Sequence, residues 1–74
     1  MSKTIYSEKY KKVLERLHQA RKERGLTQSD VAKALGKHQS YVTKCENGER
    51  RIDIVELSDF AHLYRKSIEY FLEE

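Results

Sequence analysis

The sequence predicts an all-α fold in which five short helices enclose one small core. Its 74 residues include no proline and only three glycines, which separate segments rich in Lys, Arg, Glu, Leu and Ala. Within the segments apolar residues recur every three or four positions, which is the spacing of one helix face. We expect a single domain of modest stability, because a chain this short buries only about 60% of its unfolded surface.

The first two helices are predicted from their end signals and their apolar stripes. The second helix opens at Thr27, whose hydroxyl can cap it, and Asp30 three residues later completes a capping-box pattern. Gly36 stops this helix, and Gly25 ends the first helix as a left-handed cap. The inward-facing residues are Val31, Ala32 and Leu35 in the second helix and Tyr10, Val13, Leu14, Leu17 and Ala20 in the first.

The remaining three helices are predicted in the same way. The third begins at residue 38 or 39 and ends at the Asn47-Gly48 stop signal. The fourth opens with Asp53 as its cap and Glu56 three residues later, and the fifth covers residues 67–72. Their apolar faces are formed by Val42 and Cys45 in the third and by Ile54, Leu57, Phe60, Ala61 and Tyr64 in the fourth, and the fifth carries Ile68, Tyr70, Phe71 and Leu72.

Charge is distributed unevenly along the chain, whose formal net charge is +3. Residues 1–51 hold 13 Lys and Arg against 6 Asp and Glu, whereas residues 52–74 hold 2 against 6. A basic body with an acidic tail suits a polyanionic partner, although a well-solvated surface explains the charge equally well. Charge alone therefore leaves both interpretations open.

The sequence argues against several other classes of protein. The single cysteine, Cys45, cannot form an intramolecular disulfide or a multi-thiolate zinc site. The three histidines are too scattered for a metal site, and no nucleophile–base motif or phosphate-binding glycine loop is present. No apolar run is long enough for a signal peptide or a membrane span. We therefore expect a cytoplasmic protein without enzymatic activity, metal, cofactor or small-molecule ligand.

Residues 28–47 carry the pattern with the most functional content. Two short helices are joined by a turn of three or four residues that begins at Gly36, which is a helix-turn-helix layout. Gly36 permits a positive φ at this turn, and Ala32 is small where the next helix crosses. We expect the wedge between the two helices to be formed by Val31, Leu35, Val42 and Cys45.

The outer face of the third helix carries polar side chains that suit a DNA groove. Glutamine can form two hydrogen bonds with adenine, lysine can reach guanine, and hydroxyl groups can contact bases or phosphates. No acidic residue precedes Glu46 on this face, although a merely solvated helix more often carries Glu–Lys pairs. The exposed residues are predicted to be Gln39, Ser40, Tyr41, Thr43 and Lys44.

Nearly the whole chain, from about Tyr10 to Leu72, resembles the phage-repressor/Cro family of bacterial helix-turn-helix regulators, often called the Xre family. The matching stretches are ARKERGLTQSDVAKALG, HQSYVTKCENGERR and DIVELSDFAHLYRKSIEYFL. The resemblance implies a lambda-repressor-like domain over residues 9–74, preceded by an N-terminal extension of residues 1–8. It also implies a bacterial transcriptional regulator that binds double-stranded DNA and lies on the nucleoid when bound.

The resemblance extends to individual positions of the interface. Base-contacting positions are matched by Gln39, Ser40, Tyr41 and Lys44. Positions that contact the DNA backbone are matched by Gln28, Lys37, Thr43, Asn47, Arg50 and Arg51. Two residues depart from common family usage: His38 stands where a capping residue often precedes the third helix, and Cys45 replaces a larger side chain.

Two charged residues fall on core-facing stripes, where an unpaired charge would be costly. We expect Arg21 and Glu46 to form a buried or half-buried ion pair that links the first helix to the base of the third. The alternative is that Arg21 extends to solvent. For Cys45 we expect an inert buried thiol rather than a redox switch.

The favoured assembly is a homodimer on a near-palindromic operator, with the two third helices about 34 Å apart. Its predicted interface is the apolar patch of the C-terminal helix, for which closure of the core is the alternative explanation. Two other functions stay open: an antitoxin-like protein-interaction module, and nonspecific coating of nucleic acid by the basic body. The residues of the predicted dimer interface are Ile68, Tyr70 and Phe71.

Overall fold

Five α-helices follow one another in the computed structural model, which describes residues 7–73. They are α1 (Glu8–Glu23), α2 (Gln28–Leu35), α3 (Gln39–Asn47), α4 (Ile54–Tyr64) and α5 (Ile68–Leu72). The described residues contain no strand, so the all-α prediction is confirmed. None of these helices is long and apolar enough to cross a membrane.

The start of α1 differs slightly from the predicted domain boundary. Ser7 is the N-cap, and its hydroxyl accepts a hydrogen bond from the Tyr10 amide at 3.1 Å. α1 itself begins at Glu8, and the division into an extension of residues 1–8 and a domain of residues 9–74 stays a prediction. The other residues of the predicted extension, 1–6, lie outside the described part of the chain.

Side-chain caps begin two of the central helices. Thr27 and Asp30 form a capping box at α2, and Asp53 and Glu56 form one at α4. Each box satisfies two backbone amides that the helix leaves unpaired. By contrast, His38 precedes α3 without any side-chain hydrogen bond to the helix. The helix that carries the predicted base-contacting residues is thus the one that begins without a cap.

Left-handed residues end α2 and α4 in the same way. Gly36 has φ of 69°, and the amide of Lys37 donates to the Ala32 carbonyl at 2.8 Å. After α4 the corresponding position is Arg65, with φ of 60°, and the Lys66 amide donates to the Ala61 carbonyl at 2.9 Å. These are Schellman-type endings, which satisfy helix carbonyls that would otherwise lack a donor.

All five helices contribute buried residues to one core. α1 packs against α3, α4 and α5, and α2 packs chiefly against α3. The predicted wedge is present, since Val31, Val42 and Cys45 are fully buried and Leu35 is partly buried. The buried apolar residues are Val13, Leu17, Ala20, Val31, Ala32, Val42, Cys45, Leu57, Phe60, Ala61, Tyr64 and Phe71.

Two predictions about apolar residues were wrong. Ile54 was expected in the core, but it is 65% exposed because it occupies the first turn of α4, ahead of Leu57, the first buried residue of that helix. Phe71 was expected on a surface patch for dimer formation, but its exposure is 0% because α5 folds back onto α1. Ile68 and Tyr70 are also packed partly against the core.

We expect opposite effects from two substitutions at the left-handed helix ends. Gly36→Ala should lower the free energy of unfolding by roughly 1 kcal/mol, because an L side chain is strained at that φ while its Cβ would meet nothing within 4 Å. Arg65→Gly should raise the free energy of unfolding by roughly 0.5–1 kcal/mol, because it removes the same strain. Urea denaturation followed by circular dichroism measures both. A destabilised Arg65→Gly variant would contradict the strain argument.

Candidate nucleic-acid interface

The two faces of α3 have different environments. Val42 and Cys45 are fully buried and attach the helix to the core. On the opposite side Gln39, Ser40 and Lys44 are exposed to solvent, as the sequence predicts. Their amide, hydroxyl and ammonium groups are free to approach an external partner, and hydrogen bonds of these kinds distinguish base pairs in the major groove.

Tyr41 does not share this exposure. It is half-buried, and its ring stacks on that of Phe60 with centroids 6.1 Å apart and planes inclined by 8°. Burial raises the pKa of the Tyr41 hydroxyl to about 12. Sequence spacing groups Tyr41 with the exposed polar residues, but the structure packs its ring against the core residue Phe60.

Two cations lie over the ring of Tyr41. The Lys37 Nζ is 5.0 Å from the ring centroid, and the Arg50 guanidinium carbon is 4.9 Å from it. Arg50 also pairs with Glu56 through two contacts, Nη1 to Oε1 at 3.0 Å and Nη2 to Oε2 at 2.8 Å. Because Glu56 belongs to the capping box of α4, the start of that helix helps to orient Arg50.

A second tyrosine lies beneath the neighbouring arginine. The guanidinium carbon of Arg51 lies 4.5 Å from the ring centroid of Tyr10. The hydroxyl of Tyr10 accepts a hydrogen bond from the Ile52 amide at 3.0 Å. The N-terminal turn of α1 is therefore attached to the loop between α3 and α4, which carries both arginines.

Gln28 and Thr43 were both predicted to contact the DNA backbone, and their side chains are bonded to each other. Thr43 Oγ1 donates to Gln28 Oε1 at 2.6 Å, and Gln28 Nε2 donates to Glu46 Oε1 at 3.1 Å. A carboxylate only accepts hydrogen bonds, so Glu46 fixes which end of the amide faces it. Neither of these two hydrogen bonds uses the second hydrogen on Gln28 Nε2.

Asn47 stabilises the turn that follows α3. Its side-chain oxygen accepts a hydrogen bond from the Glu49 amide at 3.2 Å, and its Nδ2 donates to the Glu49 carboxylate at 3.0 Å. Such local bonds are typical of asparagine at turns. Asn47 thus shapes the loop whose arginines are predicted to contact phosphate, and its own predicted contact with the DNA backbone stays a prediction.

Arg21 and Glu46 form the ion pair expected from the sequence. Arg21 Nε donates to Glu46 Oε2 at 2.7 Å and its Nη2 donates to Oε1 at 3.2 Å, with side-chain exposures of 10% and 5%. Arg21 Nη1 also donates to the Leu26 carbonyl at 2.9 Å. The pair therefore links α1 both to the end of α3 and to the turn before α2.

The protonation of Glu46 follows from these contacts. Burial alone would raise the pKa of its carboxyl, but hydrogen bonds from Arg21, Gln28 and His18 outweigh burial and lower the pKa below its usual value. The hydrogen bond to Glu46 is also the main reason why the pKa of Arg21 is raised. Both groups are therefore charged at neutral pH, and neither charge is buried alone.

Three residues near the site were not predicted from the sequence to contribute to it. His18 Nδ1 lies 3.2 Å from Glu46 Oε1, Tyr10 supports the arginine loop, and Glu56 holds Arg50. Of these residues, only Glu56 belongs to a recognisable local sequence pattern, the capping box. That pattern predicts where α4 begins and does not predict the contact with Arg50. The other two contacts join residues far apart in sequence and leave no periodic pattern.

The described residues contain no cluster of metal ligands and no reactive thiol. No group of three or more His, Cys, Asp and Glu side chains there could hold a metal. Cys45 is fully buried, and burial raises the pKa of its thiol. The thiol therefore stays protonated at neutral pH, where it is a poor nucleophile.

Comparison with known proteins agrees with this architecture. Residues 17–71 match the family described as helix-turn-helix. The fold is similar to that of a solved XRE-family like protein from Pseudomonas syringae pv. tomato str. DC3000, with a TM-score of 0.84 and 39% sequence identity over 96% of this chain and 87% of that one. The chain belongs to the Xre-type helix-turn-helix family.

A curated relative extends the comparison of this Xre-type chain. It is 43% identical over 56 residues to the HTH-type transcriptional regulator PrpR of Mycobacterium tuberculosis (strain ATCC 25618 / H37Rv). The matched region is 76% of this chain but only 12% of PrpR. The similarity therefore concerns the helix-turn-helix region and not the rest of PrpR.

The buried pair gives a prediction for stability. Glu46→Ala should lower the free energy of unfolding by about 3–5 kcal/mol, because it leaves the Arg21 charge buried without a partner. Glu46→Gln, which keeps a hydrogen-bond acceptor of the same size, should cost less. Denaturant unfolding at pH 7 measures both, and a loss below about 1 kcal/mol for Glu46→Ala would contradict a buried pair.

The sign of the pH dependence follows from the lowered pKa of Glu46. A carboxyl whose pKa is lower in the folded state stabilises the fold at pH values above its unfolded pKa of about 4.3. That stabilisation is lost as the pH falls from this value through the folded pKa. In the Glu46→Gln variant the loss of stability on acidification should therefore be smaller than in the wild-type protein.

Proposed function

We propose that this chain is a sequence-specific DNA-binding transcriptional regulator that inserts α3 into the major groove. The observation that carries the proposal is the exposed polar face of α3, formed by Gln39, Ser40 and Lys44. The opposite face of this helix is held in the core by Val42 and Cys45, so the helix can dock without unfolding. Membership of the Xre-type family and similarity to a transcriptional regulator support the same function.

The proposed contacts with the DNA backbone surround that face. Lys37 precedes α3, whereas Arg50 and Arg51 follow it, so cations flank both ends of the helix that would read bases. The N-terminus of α2 adds backbone amides that attract phosphate. Glu46 and Thr43 already orient the side-chain amide of Gln28. We propose that Gln28 Nε2 donates its second hydrogen, which Glu46 does not use, to a phosphate.

We further propose that the protein binds a near-palindromic operator as a homodimer. The large apolar side chains that the described residues leave exposed are Ile54, Val55 and Leu72, and Ile54 and Leu72 line the same shallow groove. Phe71 is buried, so we assign the interface to this patch at the start of α4 and the end of α5. Two-fold symmetry would place the α3 helices of a dimer about one DNA turn apart.

Selection from random duplex DNA tests the function. Recovery of two inverted half-sites about one helical turn apart would support a dimeric regulator that reads an operator. Recovery of no motif, together with a stoichiometric partner protein on purification, would instead support the protein-interaction module. Equal affinity for every duplex with a steep salt dependence would identify nonspecific coating of nucleic acid.

Substitutions should divide the interface residues into two groups. Gln39→Ala and Lys44→Ala should weaken discrimination at one base pair by about 1–3 kcal/mol, because each removes a contact to a base. Arg51→Ala should weaken binding to all sequences alike and lower the salt slope by about one, because it removes a phosphate contact. Fluorescence anisotropy with the selected duplex and single-base variants measures both effects. Identical behaviour of the three variants would contradict the division.

The dimer proposal gives a prediction of mass. Sedimentation at micromolar concentration should give twice the chain mass of 8.8 kDa for the wild-type protein. Ile54→Glu should give the monomer mass, because a charge replaces an exposed apolar side chain of the groove without disturbing the core. A wild-type monomer that still selects inverted half-sites would mean that the dimer forms only on DNA.

A further inference from the structure

Three of the proposed backbone-binding cations lie over tyrosine rings. Lys37 and Arg50, which flank α3, both lie over Tyr41 at 5.0 and 4.9 Å from its ring centroid. Arg51, the next residue in the loop, lies over Tyr10 at 4.5 Å. At these distances the electron-rich face of the ring attracts a cation. The cations are therefore restrained in the protein without DNA.

Both rings are themselves held in place. Tyr41 stacks on Phe60, whose exposure is 0%, so the ring cannot turn without disturbing the core. Tyr10 lies on α1, and its hydroxyl is bonded to the Ile52 amide next to Arg51. A ring that is held in place limits the movement of the cationic side chain that lies over it. Without the ring, a flexible arginine or lysine side chain would sample many rotamers.

We propose that Tyr41 and Tyr10 are positioning residues that hold Lys37, Arg50 and Arg51 ready for phosphate. This proposal rests on the proposed DNA-binding function and adds the residues that orient its phosphate-binding cations. A long cationic side chain loses rotamer freedom when it binds DNA. A ring that already orders this side chain in the free protein reduces that loss. The rings would thus increase affinity for every DNA sequence equally, since phosphates carry no sequence information.

The pair of Tyr10 and Arg51 offers the sharper test. Tyr10 is outside the ten positions at which contacts with bases or backbone are proposed, whereas Tyr41 itself adjoins the exposed face of α3. Tyr10 also lines the groove assigned to the dimer interface, so an effect of Tyr10→Leu on DNA affinity is attributed to the loop only if the variant keeps the wild-type mass in sedimentation.

The experiment measures the affinity of the full chain for the selected duplex over a range of salt concentrations. Tyr10→Leu should weaken binding about two- to tenfold for specific and unrelated duplexes alike. Its salt slope should equal that of the wild-type protein, because the number of phosphates neutralised does not change. Tyr10→Phe keeps the ring and should weaken binding less. Arg51→Ala, by contrast, should lower the slope by about one.

A double substitution separates positioning from general destabilisation. In an Arg51→Ala background, Tyr10→Leu should weaken binding no further, because the side chain on which the ring acts is gone. Lys66→Leu is the control: it removes another contact of this kind, because the Lys66 Nζ lies 4.5 Å from the Tyr70 ring centroid, away from α3 and its flanking loops. This variant should leave DNA affinity unchanged even if it lowers thermal stability.

A measurement on the wild-type protein keeps the proposal falsifiable if Tyr10→Leu fails to fold. The ring current of Tyr10 should shift the side-chain protons of Arg51 upfield in NMR spectra of the free protein. An unshifted Arg51 spectrum, an additive loss in the double variant, or a salt slope for Tyr10→Leu that matches Arg51→Ala would each overturn the positioning role. A wild-type protein that binds no duplex would overturn the proposed function as well.

Discussion

The buried contact between Arg21 and Glu46 is the constraint on which the rest of the structure depends. A chain of this size has a small core, so the relative positions of its helices must also be fixed by polar contacts. Glu46 accepts hydrogen bonds from α1 through Arg21 and from α2 through Gln28, while it lies on α3 itself. One carboxylate thus joins α1 to the two helices that carry residues of the candidate interface.

This arrangement couples the stability of the domain to the geometry of its surface. Thr43 on α3 is bonded to Gln28 on α2, and Gln28 in turn is bonded to Glu46. A polar network of this kind is favourable only when every member is satisfied. The angle between α2 and α3 is therefore set by hydrogen bonds on one side and by the wedge of Val31, Val42 and Cys45 on the other.

Local rules predict much of this structure from the sequence. Both capping boxes, the left-handed Gly36 and the pairing of Arg21 with Glu46 follow from residue type and spacing. The position of Phe71 does not, because α5 is apolar on more than one side and only its packing onto α1 selects the buried face. The contact between Tyr10 and Ile52 spans 42 residues and has no local signature. Tertiary packing, rather than periodicity, decided these positions.

The uncapped start of α3 has a consequence for how the protein would find its site. Gln39 and Ser40 lie in the first turn of this helix, where His38 supplies no side-chain acceptor for the backbone amides. That turn opens at lower cost than the capped starts of α2 and α4. If the proposed function holds, a surface whose cations are already ordered would slide along any duplex, while the turn that carries Gln39 and Ser40 would tighten only against a suitable base sequence. Search and recognition would then be carried out by parts of the same helix-loop segment that differ in rigidity.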